Sequence, residues 1–306
     1  MGPAPKISVF MEIHQIRYMC AVAETGSFTR AAAREHVAQP SLSQQIIKLE
    51  NELGAKLFHR FHNQIRLTEF GKAFYTRAQD ILRAVSSVKS EIHDMAGIAR
   101  GLVRVGVIPT VAPYLLPRIL PQFSKNFPDV RLAVTEDITP VLIQKLQETV
   151  IDIAIVALPI QGAELVRQEL LWEKLYAVVP CDHALAQSDS LCLKDILAEP
   201  FLLLKEGHCF RDTVIAACKR VKAAPSIVFE SGQFPTILGM VAAGMGVSVV
   251  PEMAVEPRAG CKFVPLEDEK ARRRIGVVRL QNHFRSRPQR EFMTYLSGYI
   301  AEAAGK

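Results

Sequence analysis

Two cysteines nine residues apart, Cys209 and Cys218, are the residues of this chain best suited to covalent chemistry. The thiolate is the nucleophile and a free thiol ionises only near pH ~8.5, so a reactive cysteine needs a positive setting. Phe210, Val214, Cys218 and Val221 recur at intervals of four, four and three, which predicts a helix starting at or just after Cys209. The Cys209 sulfur then meets the positive end of the helix dipole, and His208 and Arg211 add potential positive charge and hydrogen-bond donors. Inert packing is the commoner fate of reduced cysteines, and the residues alone leave both readings open. Cys20, Cys181, Cys192 and Cys261 form no Cys-x-x-Cys pair, so neither a metal nor another cofactor is expected. Cys20 shares an apolar face with Ile13, Ile16 and Ala23, a packing position, and the other three receive no role. Of the histidines, only His59 and His62 have close spacing, in an expected solvated turn.

The 306 residues, 49% hydrophobic and 22% charged, have a globular composition that excludes disordered and collagen-like classes. Even the apolar stretch Gly239–Pro251 is too short to cross a bilayer, so no membrane partner is expected. Met1–Phe10 carry one Lys and no apolar run, which does not read as an export signal; a cytoplasmic location with reduced thiols is expected. A net charge of +6 permits a polyanionic partner without requiring one.

The rhythm changes near Gly97–Gly101, from helical to alternating. Strands are expected at Val103–Val107, Arg131–Val134, Ile151–Val156, Leu175–Val179, Phe201–Leu204, Ser226–Phe229, Val247–Val250 and Ile275–Leu280. Helices are expected at Pro113–Phe127, Pro140–Thr149, Phe210–Val221, Pro235–Ala243 and Gln289–Ala303. This alternation argues for an α/β fold with largely parallel sheets. The run Lys270–Arg274 adjoins Glu267–Glu269 and reads as a solvated, self-compensated turn.

In the amino-terminal part, Ser27 suits a helix cap before the Ala-rich Phe28–Glu35, and Pro40 suits a first helical turn. Leu42, Ile46, Leu49 and Leu53 predict one buried face, with Ser41, Gln44, Gln45 and Lys48 opposite. Two helices joined by a short turn form a helix-turn-helix, in which Gln can read adenine while Ser and Lys suit phosphate. An ordinary solvated face is the alternative. Ser27, Gln39, Pro40 and Ser43 complete the expected DNA-facing set, and Arg60, Arg66 and Thr68 lie on two short strands around a turn, where a wing could touch phosphates. Phe74, Ala78, Ile81, Val85, Val88, Ile92 and Met95 then recur as a heptad seam suited to a helix–helix dimer.

The block Phe28–Gly71, with Ala31-Ala-Ala33, Val37-Ala-Gln-Pro-Ser-Leu-Ser-Gln-Gln-Ile46, Leu49-Glu50, Leu53-Gly54, Leu57-Phe58 and Leu67-Thr-x-x-Gly71, resembles the winged helix-turn-helix of LysR-type transcriptional regulators. Within that family the chain resembles the hydrogen peroxide sensors, on Ile108–Pro117, Leu202–Asp212 with Cys218 beyond, and Met240–Val247 before Pro251. Phe210 departs from the Leu common there, an apolar exchange.

The resemblance implies a DNA-binding domain over 11–70, a dimerising linker helix over 71–97 and a regulatory region over 102–306. That region would hold two Rossmann-like α/β subdomains, of the periplasmic binding protein type II kind, at about 102–172 plus 277–306, and 173–276. It further implies Cys209 as peroxidatic and Cys218 as resolving cysteine of a redox disulfide. Thr110, Thr139 and His208 would orient the peroxide, with Asp212 holding Arg211 or water. The implied partners are double-stranded DNA, hydrogen peroxide, a second or further copies of the chain as dimer or tetramer, RNA polymerase, and a disulfide reductant of glutaredoxin or thioredoxin type. If the segment is helical when reduced, nine residues rise about 13.5 Å, and the disulfide cannot form without partial unwinding of Phe210–Ala217. A regulator answering to a small organic anion is the nearest rival. A thiol peroxidase is the rival from another class, disfavoured because an enzyme has no use for the helix pair.

Overall fold

The computed structural model describes residues 11–61, 64–95, 100–268, 271–281 and 284–304. The chain divides into two compact units, Met1–Ile92 and His93–Lys306.

The first unit carries α1 (Ile13–Thr25), α2 (Phe28–Arg34), α3 (Gln39–Leu53), the antiparallel pair β1 (Phe58–Phe61) and β2 (Gln64–Leu67), and the start of α4 (Glu69–Met95). Met19 and Val22 of α1, Ala31 and Ala32 of α2, and Leu42, Ile46 and Leu49 of α3 build its core, where the alanines let the helices approach. Leu53, expected on that buried face, is 40% exposed because α3 ends there. Ile13 likewise points outward, whereas Cys20 is buried. Glu50 is a buried carboxylate that accepts the Leu57 N–H and the Lys56 ammonium, both at 2.9 Å, and so sets the chain's entry into β1. The seam of α4 differs from expectation at its start: Ala78 is buried with Phe74, Tyr75 and Leu82 in this unit's own core. Further along, Ile81, Val88 and Ile92 are exposed.

The second unit begins with parallel βαβ units: β3 (Gly101–Val107), α5 (Ala112–Asn126), β4 (Val130–Glu136), α6 (Thr139–Gln147) and β5 (Ile153–Leu158), in which β3 pairs in parallel with both β4 and β5. Then come β6 (Leu165–Pro180), the short α7 (Leu193–Ile196), β7 (Pro200–Leu204), α8 (Cys209–Arg220), β8 (Ser226–Ser231) and α9 (Phe234–Ala242). The chain closes with β9 (Ser248–Pro251), β10 (Cys261–Pro265), β11 (Arg272–Leu280) and α10 (Arg287–Ala304). The sheets are mixed rather than largely parallel: β11 runs antiparallel to β5 and β6, and β6 antiparallel to β9 and β10. β6 extends ten residues ahead of the expected Leu175 and pairs there with β11, while its expected part, Leu175–Pro180, pairs with β9 and β10. The expected turn at Lys270–Arg274 is instead the beginning of β11, with residues 269–270 outside the described set.

Two apolar clusters fill this unit. One is drawn from residues between Leu175 and Ala271, the other from Val103–Leu165 together with Ile275–Ile300. Arg273, 2% exposed, crosses between them. Its Nε donates to Glu173 Oε1 at 2.6 Å, a second nitrogen pairs with the same oxygen, and Nη1 donates to Thr110 Oγ1 at 2.8 Å. Its guanidinium also lies 5.1 Å from the Phe210 ring centre. Removing one partner of such a pair leaves the other charge buried and unpaired.

Two outcomes follow. Arg273→Gln should lower the unfolding free energy in urea by about 3–5 kcal/mol, and Arg273→Gln/Glu173→Gln by clearly less. At Gly71 a Cβ would overlap the Leu57 carbonyl oxygen, so Gly71→Ala should lower the melting temperature of the amino-terminal unit and leave the second unit's transition in place.

Candidate functional site

Cys209 is the first residue of α8, immediately after His208 at the cap, as the apolar spacing predicts. Its sulfur is half-exposed, whereas Cys218, on the same helix, is 1% exposed. Burial pushes the Cys218 thiol up to about 11, so it stays protonated and unreactive while α8 is intact. The Thr213 hydroxyl donates to the Cys209 carbonyl at 3.0 Å and holds the first turn closed.

Cys209 lines a pocket of about 1000 Å³, together with Thr139, Asp212, Arg220 and the three arginines Arg272, Arg273 and Arg274. Thr139, the first residue of α6, is buried there and its hydroxyl has no hydrogen-bond partner. An unpaired buried hydroxyl costs about 1–3 kcal/mol, which a polar guest in the pocket would recover. Trp172 stands on the same wall, under the guanidinium of Arg274 at 5.1 Å. No metal-binding group of acidic, His or Cys side chains occurs among the described residues.

The expected site is assembled only in part. Cys209, Thr139 and Asp212 share the pocket. His208 is 5% exposed, and burial, then Lys205, hold its imidazole below the ordinary value, so it is a neutral hydrogen-bonding group rather than a positive charge. Arg211 is not held by Asp212: it donates to the Leu204 carbonyl at 3.0 Å and pairs with Glu230 on β8. Thr110 lines a different pocket of about 250 Å³ and reaches the Cys209 pocket only through Arg273. Sequence reasoning missed Arg273 and Glu173. The signal was present: Ala271, Arg273, Ile275 and Val277 alternate with a strand's period of two, and all four are buried. The neighbouring acidic residues had suggested a turn instead.

In the first unit, Gln39, Pro40, Ser41, Gln44 and Lys48 are exposed on α3, while Ser43 and Gln45 are half-buried. Gln45 accepts a hydrogen bond from Gln15 Nε2 at 3.1 Å, which leaves less of its amide for a ligand. Ser27 caps α2, its hydroxyl accepting the Arg30 N–H at 3.4 Å. Arg66 is exposed on β2; the Arg60 side chain lies outside the described set. Thr68 is a correction. It is buried, donating to the Lys56 carbonyl at 2.6 Å and accepting the Gly71 N–H at 2.9 Å, so its hydroxyl caps α4 instead of facing a ligand.

Comparison with known proteins agrees with this architecture. Residues 13–72 match the bacterial regulatory helix-turn-helix protein, LysR family, and residues 96–300 match the LysR substrate binding domain. The chain is 34% identical over 271 residues to the DNA-binding transcriptional dual regulator OxyR of Escherichia coli (strain K12), covering 88% of this chain and 89% of that one. Among solved structures it is similar to a full-length OxyR variant of Pseudomonas aeruginosa, with TM-score 0.76, 33% identity and coverage of 95% and 94%. It is also similar to a hydrogen peroxide-bound OxyR mutant of Corynebacterium glutamicum, with TM-score 0.64, 30% identity and coverage of 96% and 94%. The chain therefore belongs to the LysR family of bacterial helix-turn-helix transcription regulators, and within it is OxyR-like.

Proposed function

We propose that this regulator senses hydrogen peroxide through Cys209 and Cys218 and transmits the change to its DNA-binding unit. The observation that carries the reading is the placement of both thiols on one helix in opposite environments: Cys209 at the first turn on a polar pocket, Cys218 sealed in the core. The peroxide-bound relative supports the choice of oxidant.

In the first step the Cys209 thiolate attacks one peroxide oxygen, the O–O bond breaks, and the departing hydroxide takes a proton to leave as water, giving a sulfenic acid. The Cys218 sulfur then displaces the sulfenic hydroxyl. Its proton leaves with that hydroxyl as a second water, and the S–S bond forms. A dithiol reductant of glutaredoxin or thioredoxin type resets the pair. Nine residues of helix separate the two Cα atoms by about 13.5 Å along the axis, and a disulfide needs them within about 7 Å. Oxidation thus requires α8 to unwind and carries Cys218 out of its core.

On the DNA side, Ser41, Gln44 and Lys48 of α3, flanked by Gln39, Pro40 and Ser43, face the major groove, with Arg66 on the backbone. The exposed Ile81, Val88 and Ile92 on α4 suit a second copy of the chain, so that a dimer or tetramer presents paired readers, and RNA polymerase is the downstream partner.

A second reading has its own observation: the pocket beside Cys209 is far larger than peroxide and carries four arginines against one aspartate. A small organic anion would suit it, with Cys209 incidental. A Cys209→Ser protein whose DNA binding still answers to an organic acid would favour this reading over the first.

Non-reducing peptide mapping after one equivalent of hydrogen peroxide should yield a Cys209–Cys218 linkage within seconds to minutes, absent in Cys209→Ser; thiols left free over that time would overturn the disulfide reading. In the reduced protein at pH 8, iodoacetamide should label Cys209 and spare Cys218. The Cys218 value is raised above its unfolded 9.0, so the stability it contributes is whole below pH 9 and is lost as pH rises toward 11. Cys218→Ala should flatten that alkaline loss in urea titrations. Lys48→Ala should weaken DNA binding and reduce its salt dependence by about one counterion, with the melting temperature unchanged.

A further inference from the structure

A second pocket, of about 420 Å³, lies against β5, β11 and α10, with none of the Cys209 pocket's residues on its wall. Its apolar side is formed by Ile153, Leu280, Phe284 and Met293. Its polar side carries Arg279 and Arg285, and neither guanidinium has a carboxylate partner among the described residues. Both line the same wall, and burial, then the like charge of Arg285, hold the Arg279 guanidinium below its ordinary value while it remains a cation. The one carboxylate on the wall, Asp152, accepts the Arg104 backbone N–H at 2.7 Å.

Thr149 adds an independent observation. Its hydroxyl is buried at this pocket without a hydrogen-bond partner. Its backbone has φ of 51°, the left-handed region, at the end of α6 where glycine is the usual residue. A β-branched residue is strained there. A threonine at that position therefore carries backbone strain and an unsatisfied hydroxyl, and a polar ligand would satisfy the hydroxyl where an apolar one would not.

We propose that this pocket binds a small carboxylate with an apolar body, its anionic end held by Arg279 and Arg285 with the Thr149 hydroxyl, its body against Ile153, Phe284 and Met293. The volume is ordinary for a small-molecule site, and paired guanidiniums recognise a carboxylate through charge-assisted hydrogen bonds. Inorganic phosphate satisfies the charge but not the apolar wall. The site is separate from Cys209, so its occupant is a second input to the regulator, whatever the first one is.

The test is calorimetric titration of phenylacetate into the reduced full-length protein. Saturable binding is expected. It should weaken about tenfold or more in Arg279→Gln/Arg285→Gln, vanish with the neutral isostere phenylethanol, exceed that of inorganic phosphate, and persist in Cys209→Ser. Thr149→Gly should melt at a higher temperature, since glycine takes the left-handed conformation freely, yet bind phenylacetate more weakly; a residue that only ends a helix would leave binding unchanged. Absence of saturable heat at millimolar phenylacetate, equal binding of phenylethanol, or unaltered affinity in the double arginine variant would overturn the proposal. If that variant does not fold, the phenylethanol and Thr149→Gly measurements decide it.

Discussion

A guanidinium held almost entirely out of water is tolerable only if its charge is paired and its nitrogens find acceptors, and the second unit is arranged around meeting that demand for Arg273. Glu173 supplies the countercharge from β6, Thr110 the hydroxyl from the turn after β3, and the ring of Phe210 a π face from the first turn of α8. Both apolar clusters are thereby tied to one side chain: Phe210 belongs to one, and Thr110 sits between Ile108 and Val111 of the other. A buried ion pair of this kind is weak evidence for net stability, because desolvation offsets much of its attraction. Its consequence is specificity of arrangement. Few other positions of α8 relative to β11 would leave that charge satisfied.

The electrostatics at Cys209 follow from this arrangement. His208 is neutral, Arg211 is engaged by Glu230, Arg273 by Glu173 and Arg274 by Glu169, so tertiary pairing sets the charge state of the residues around the Cys209 pocket. Cys218 has the opposite environment, since its surroundings are apolar and its thiol is raised. The same helix therefore carries an accessible sulfur and a sealed one, and the helical rise between them keeps the two apart until the backbone moves.

Helix α6 has a similar asymmetry at its two ends. Thr139 begins it and Thr149 follows it, and both hydroxyls are buried without partners, each on the wall of a different pocket. Two unsatisfied groups at about 1–3 kcal/mol each are a sizeable fraction of a domain's net stability. Each lies on the wall of a concave surface that also carries arginines.

Much of this was legible in the chain itself. The period of 3.6 in Leu42, Ile46 and Leu49, the cap at Ser27 and the start of α8 at Cys209 are local properties, decided by side chains within a few residues of one another. Apolar periodicity located most strands and helices of the second unit for the same reason, but not β10, the short α7 or the first ten residues of β6. The family and its helix-turn-helix were legible too, because they reside in contiguous motifs. What the sequence could not supply was pairing over distance: that β6 would extend to meet β11 in an antiparallel pair, that Glu230 rather than Asp212 would take Arg211, that Thr68 would be spent as a cap, and that Glu173 would face Arg273 across a hundred residues. A charged residue's partner is chosen by which surfaces the folded backbone brings together in the absence of water. Arg273 had a strand's alternation in its favour and acidic neighbours against it, and only burial in the tertiary structure decided between them.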